Sequence, residues 1–279
     1  KEREIVNIAG IICEYNPIHR GHTHHIQETR RLLGEDTAVL CVMSGNFVQR
    51  GQAAIFEKHA RAAAALRCGA DLVVELPLPY ALSSAERFAF GGVSTLNLLG
   101  CATHISFGSE TGDLAPLHAV SECVDAPETL ARMKAELKKG VSYPRARAHA
   151  VYSVLGEQAG VLMTPNNTLG IEYLRALKAT QSSIAPVTIP RKGAQHDSAG
   201  AESASFIRKQ FQAGSDPWPL IPDGAGDIYR AEIAQGRGPV FTEALEIAIL
   251  SRLRMLQPAA FERLPDASEG LERRLMRAV

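Results

Sequence analysis

The sequence predicts an α/β protein: a parallel sheet covered by helices, followed by a helical C-terminal part. Three observations predict it. Four short runs, residues 5–15, 37–43, 71–76 and 103–107, are nearly continuous in apolar and β-branched side chains, as strands buried on both faces require. Each is followed by a turn and then by apolar residues at helical spacing, the order of a strand–helix–strand unit. Of the 279 residues, 46% are hydrophobic, enough for one sizeable core and room for a smaller second domain.

The elements follow in order. The first strand breaks at Asn16-Pro17, and from Gly21 onward Ile26, Arg30 and Leu33 share one helical face. The second leads into the polar loop from Ser44 to Gln52 and then a helix through Lys58, Arg61, Ala65 and Leu66. Pro77 and Pro79 stop the third, after which Ser83 and Glu86 read as a capping box for a helix toward Leu99. The fourth ends in Gly108-Ser109-Glu110. These strand ends are expected to gather on one edge, where open α/β sheets bind ligands. Residues 113–180 turn mostly helical, Asn166-Asn167 opens a helix, and 185–190 reads as a fifth strand. Then come a polar loop, 191–197, and a short helix at 203–211 bearing Arg208. Three prolines and several turn residues make 216–226 a linker, while 242–256 and 268–277 read as amphipathic helices. The expected organisation is a sheet domain over 1–215, with a helical insertion at 113–165, and a helical C-terminal region over 216–279.

Thirty basic and thirty acidic residues cancel, which argues against nucleic-acid binding through overall charge and leaves local basic patches open. Cys13, Cys41, Cys68, Cys101 and Cys123 are odd in number and scattered, the first four in apolar context. They read as buried free thiols in a reducing compartment. No apolar stretch is long enough to span a bilayer and no signal-peptide pattern is present, so a soluble, cytoplasmic protein without a membrane partner is expected. The chain begins at Lys1 rather than Met, as a trimmed start would.

The residues that carry chemistry begin where the first strand ends. Pro17, His19, Gly21 and His22 form a His-x-Gly-His pattern at the opening of a helix, whose free N–H groups and positive dipole end favour a phosphate. Two imidazoles there add donors for charge building in a transition state, and Gly21 lets a nucleoside lie close to the backbone. His24 and His25 complete four histidines within seven residues. They point to different helix faces without Cys or carboxylate at ligand spacing, so no metal site is read here. Glu75 and Glu86 lie among apolar residues and are expected to be ion-paired, with Lys58 or Arg87 as partners.

The His-x-Gly-His pattern resembles that of the nucleotidyltransferase superfamily, whose two histidines stabilise the α-phosphate of ATP as pyrophosphate is displaced. Together EYNPIHRGH, MSGNFVQRGQ, GADLVVELP, FGSE and NNTLGIEYLRAL resemble the tRNA(Met) cytidine acetate ligase family over about residues 8–211. The resemblance implies a Rossmann-like sheet of the nucleotidyltransferase type. It implies that ATP converts acetate to acetyl-adenylate and that the acetyl group passes to the wobble cytidine of elongator tRNA(Met), giving N4-acetylcytidine. His19 and His22 would be catalytic. Ile12, Glu14, Tyr15, Asn16, Pro17, His19, Gly21, His22 and His25, with Gly108, Asn166, Asn167 and Arg191, would hold ATP. Magnesium is expected to accompany the nucleotide; no prosthetic group is implied.

Ser44, Asn46 and Gln49 are candidates for acetate or phosphate, and the basic segments 134–147 and 252–277 for tRNA phosphates. Arg20 stands where the family pattern has a small or polar residue and is expected to project outward. Family members continue well past this length, so the chain reads as a shortened member or a fragment. The alternatives are an adenylyltransferase acting on a phosphorylated small molecule and a non-catalytic nucleotide- or RNA-binding protein. The sequence does not reveal the oligomeric state.

Overall fold

The computed structural model describes residues 6–191, 203–263 and 271–278. The predicted strand start at Ile5, the loop from Lys192 to Asp197 and the helix start at Ser268 lie outside the described residues. Five strands form one sheet: β1 (Ile8–Cys13), β2 (Ala38–Ser44), β3 (Leu72–Leu76), β4 (His104–Ser109) and β5 (Ala185–Pro190). Their order is β3-β2-β1-β4-β5, and every pairing is parallel. Strand order therefore reverses between β1 and β4. At such a reversal the connecting helices leave in opposite directions, opening a crevice at the strands' carboxyl ends.

Helices α1 (Arg20–Leu33) and α2 (Lys58–Arg67) follow β1 and β2, and α3 (Leu78–Ala81) and α4 (Ala85–Leu99) follow β3. Between β4 and β5 come α5 (Leu114–Val124), α6 (Pro127–Lys138), α7 (Tyr143–Leu155), the tight turns of Gly156–Met163, and α8 (Pro165–Ala179). Side-chain alternation along β4 shows how the sheet is covered. Ile105 and Phe107 join the main core with Leu96 of α4 and Ile171 and Leu174 of α8. Ser106, between them, bonds Thr29 of α1 through its Oγ at 2.7 Å.

Several expectations change. Ser83 does not cap α4: its hydroxyl donates to the Pro79 carbonyl, and Ser84 is the cap residue without a side-chain bond. Pro79 sits inside α3, which a proline in the first turn of a helix permits. Residues 216–226 are folded. After α9 (Ala204–Gln212), a short turn at Trp218–Leu220 leads into α10 (Asp223–Ala234), which packs on α2. Its Tyr229 is fully buried, with its ring 4.3 Å from that of Phe56. Prolines there set the entry to a helix rather than a flexible connection. Two compact units result, Lys1–Pro239 and Val240–Val279. The second contains α11 (Thr242–Arg254), α12 (Pro258–Glu262) and α13 (Leu271–Ala278).

Glu75 and Glu86 are exposed rather than set in apolar surroundings; Glu75 pairs with Lys58 at 2.6 Å and Glu86 with Arg175 at 3.5 Å. Cys101 is exposed, whereas Cys13, Cys41, Cys68 and Cys123 are buried thiols. Arg147, expected in a basic RNA-facing set, is buried against Glu172. No helix among the described residues is long and apolar enough to cross a membrane.

Candidate active site at the strand switch

Two adjoining clefts, of about 240 and 260 Å³, open at the carboxyl ends of β1 and β4 and share His22, His25, Gly108 and Arg191. The larger is lined also by His19, Gly21 and His24 of the α1 start. The other takes its walls from Ile12, Glu14, Tyr15 and Asn16, with Asn166 of α8 and Ala204 of α9. The crevice expected from the topology is thus where most of the predicted residues meet, Pro17 and Asn167 excepted.

The histidines are fixed by the helix they begin. His19 is the cap residue of α1, and its Nδ1 accepts the Gly21 N–H at 3.1 Å. His22 Nδ1 accepts the His19 N–H at 3.3 Å. This reciprocal capping satisfies helix-start donors that would otherwise be orphaned. Occupied as acceptors, both Nδ1 atoms leave the neutral rings with hydrogen on Nε2. The rings lie 3.8 Å apart. Burial, with Arg191 adding to it, lowers His19 to a pKa of about 4. Burial likewise lowers His22, reinforced by His19, Arg191 and His25. Both are neutral N–H donors near pH 7. Gly21 makes room for the cap: a β-carbon there would come 2.9 Å from His19 Cε1, so the His19 ring could not fold back over the helix start.

His25 Nε2 bonds Ser106 Oγ at 2.9 Å, and Thr29 closes the network from its hydroxyl to the His25 carbonyl. Burial, then Arg191 and His24, lower His25 to about 4.

Arg191 follows the last residue of β5. Its Nη1 donates to Asn166 Oδ1 at 3.0 Å, and Asn166 Nδ2 donates to Glu110 Oε1 at 2.6 Å. Burial alone would raise the Glu110 carboxyl, but hydrogen bonds from Asn166 and Asn167 hold it below the usual carboxylate range. The two asparagines divide the work. Asn166 faces the cleft, while Asn167 is buried and its Oδ1 accepts the backbone N–H groups of Glu110 and Thr111. Asn167 thus clamps the β4 exit to α8 and does not line the cleft. Gly108 lines both clefts opposite the Arg191 stem, 3.3 Å from where a β-carbon would stand.

Asn16 Oδ1 accepts from Ile55 N at 2.8 Å, and Glu14 Oε1 accepts from Gln49 N at 2.9 Å. Pro17 is buried beside the cap and does not line either cleft. Of Ser44, Asn46 and Gln49, Gln49 alone lines either cleft. Asn46 Oδ1 accepts the Lys58 N–H at the start of α2. Arg20 is exposed, its Nε donating to the Pro219 carbonyl at 2.9 Å.

The sequence reading missed the apolar wall of Phe88, Phe107, Leu169 and Tyr173, because such residues look like ordinary core. It also missed Arg61. That guanidinium is completely buried and donates to the carbonyls of Glu14, Ser44, Gly45 and Phe56, tying together the exits of β1 and β2. Its signal was an arginine on the buried face of an alanine-rich helix. Arg208 similarly donates to the Asn16 carbonyl at 2.8 Å.

Residues 6–279 match the family described as HIGH Nucleotidyl Transferase. The chain is 40% identical to the tRNA(Met) cytidine acetate ligase of Acetivibrio thermocellus, an alignment covering 98% of this chain and 69% of the relative. It is 41% identical to that of Caldanaerobacter subterraneus subsp. tengcongensis, over 96% and 69%. The chain belongs to the tRNA(Met) cytidine acetate ligase family. Thermotoga maritima TmcAL, solved with alpha-thio ATP bound, is similar with a TM-score of 0.87 at 37% identity, over 97% of this chain and 66% of that one. The chain therefore spans about two thirds of the length of these relatives.

Proposed function

We propose that the chain activates acetate with ATP and transfers the acetyl group to the wobble cytidine of elongator tRNA(Met). The observation that carries this reading is the His19–His22 pair, two neutral Nε2 donors at a helix start beside Arg191. In the first step an acetate oxygen attacks the α-phosphorus, the bond to the β-phosphate oxygen breaks, and pyrophosphate leaves. Charge accumulates on the phosphoryl oxygens, where preorganised donors act more strongly than on the ground state. Arg191 adds a fixed cation held in place by Asn166. In the second step the N4 amine attacks the acetyl carbon, AMP departs, and the amine loses a proton. The mixed anhydride is already activated, so the protein's task there is positioning.

Adenosine suits the cleft side carrying Gly21 and Gly108, with the phosphates toward His19, His22 and Arg191. Magnesium would arrive with the triphosphate, held by phosphate oxygens and water. Among the described residues no group of three His, Cys, Asp or Glu side chains is placed to hold a metal.

The test is acetate-dependent pyrophosphate release from ATP, followed by mass analysis of cytidine in elongator tRNA(Met). Release together with N4-acetylcytidine supports both steps; release without modification supports activation alone. Release only with a phosphorylated small-molecule acceptor would replace the reading by an adenylyltransferase. His22→Ala is expected to lower acetate-dependent release by roughly 10²–10³-fold while the chain stays folded; unchanged rates would remove His22 from its role.

A further inference from the structure

A second cavity, of about 270 Å³, lies outside the nucleotide cleft, between the start of α4 and helices α7 and α8. It is bounded by Ala85, Glu86, Tyr143, Arg147, Thr168 and Glu172. A wider groove, which includes Gln49 and Leu169 of the nucleotide cleft, shares Ala85 and Thr168 with this cavity. The two sites are therefore linked along α8.

Arg147 sets the cavity's chemistry. It is 8% exposed, and its Nη1 donates to Glu172 Oε1. Its Nε and Nη2 are buried and make no hydrogen bond among the described residues. Leaving two guanidinium donors dry and unpaired is costly, and that fork is shaped to hold two acceptor atoms at once. Carboxylates line the same space. Glu172 also accepts from Arg175 Nη1 at 2.6 Å, and Glu86 lies 3.5 Å from Arg175. An anionic ligand would meet these acidic oxygens. A neutral ring with two adjacent acceptors and, next to them along the same edge, an amine would satisfy both. The Tyr143 ring, 43% exposed at this cavity, supplies a stacking face of the kind RNA bases use.

We propose that this cavity binds a cytosine base of the acceptor RNA, with O2 and N3 on the Arg147 fork and the N4 amine toward the Glu172 and Glu86 carboxylates. The inference rests on the reading that the chain acts on RNA cytidine. It adds a base-recognition site apart from the cleft where transfer occurs. Uracil presents an N3–H where the fork requires an acceptor, so the cavity discriminates between the two pyrimidines.

The test titrates the full 279-residue chain with free cytidine and with uridine, following protein resonances by NMR. Cytidine is expected to bind saturably and uridine at least about tenfold more weakly, since one unmatched polar edge carries about that much discrimination. Arg147→Met should weaken cytidine by a similar factor. Because that change also strips Glu172 of a partner, Ala85→Trp is the second variant: it fills the cavity and leaves the ion pairs untouched. Both variants should retain acetate-dependent pyrophosphate release. Absence of cytidine binding, equal binding of uridine, or undiminished binding in Ala85→Trp would overturn the proposal. Cytidine binding in a chain that releases no pyrophosphate with acetate would instead retire the activation reading and leave the cavity assigned.

Discussion

His19 and His25 show how strongly a single residue's surroundings decide its chemistry. Both have pKa values of about 4 in the folded chain, against an ordinary 6.5. Between those values the unfolded chain takes up protons that the folded chain refuses, so stability is full above pH 6.5 and falls as pH drops toward 4. Thermal melts are expected to show a Tm that declines across this window, with a shallower decline in His25→Gln; a flat profile would contradict the burial argument. Arg61 makes the complementary point. Arg61→Met keeps the stem but strands four carbonyls, three of them buried, and a loss of about 3 kcal/mol or more is expected in urea unfolding. An effect within ±0.5 kcal/mol would mean those carbonyls find other partners.

At the scale of elements, the strands and their order of connection were legible because buried parallel strands write themselves as unbroken apolar runs. The histidine site was legible for a related reason: its residues are adjacent in sequence at one strand exit. What escaped reading was chemistry assembled across elements. The His19–His22 cap is built from two imidazoles rather than a hydroxyl and a carboxylate, so the usual capping-box signature falls on Ser83 and Glu86 instead. Asn166 and Asn167 are neighbours with opposite assignments, which depend on Glu110, 56 and 57 positions away. Helix α8 carries a tight packing demand that the sequence hid. A β-carbon at Gly170 would stand 2.7 Å from Phe107 Cε2, and Phe107 lines the cleft proposed to hold ATP. Gly170→Ala is expected to cost about 1–3 kcal/mol by overpacking and to raise the KM for ATP as the ring is displaced. Unchanged KM would show that Phe107 yields in another direction.

For the molecule as a whole, the proline-rich stretch misled because proline marks both linkers and helix starts. Here it marks the start of α10, whose Tyr229 hydroxyl accepts the Ile18 N–H at 3.3 Å. Residues 216–239 consequently belong with the sheet in one compact unit. A chain ending at Pro239 is expected to unfold in one cooperative transition and to bind ATP with undiminished affinity by calorimetry. Ending it at residue 215 would remove the cover of α2 and is expected to yield an insoluble or molten product. Equal behaviour of the two truncations would argue against α10 as part of that core.

The reciprocal cap at the head of α1 has a consequence for how nucleotide binding is felt in solution. Because both imidazoles reach neutral pH already uncharged and with a committed tautomer, ATP can arrive without drawing protons from the medium. With ATP seated as proposed, the heat of binding is expected to be the same in phosphate as in Tris buffer, and calorimetry in the two buffers checks it.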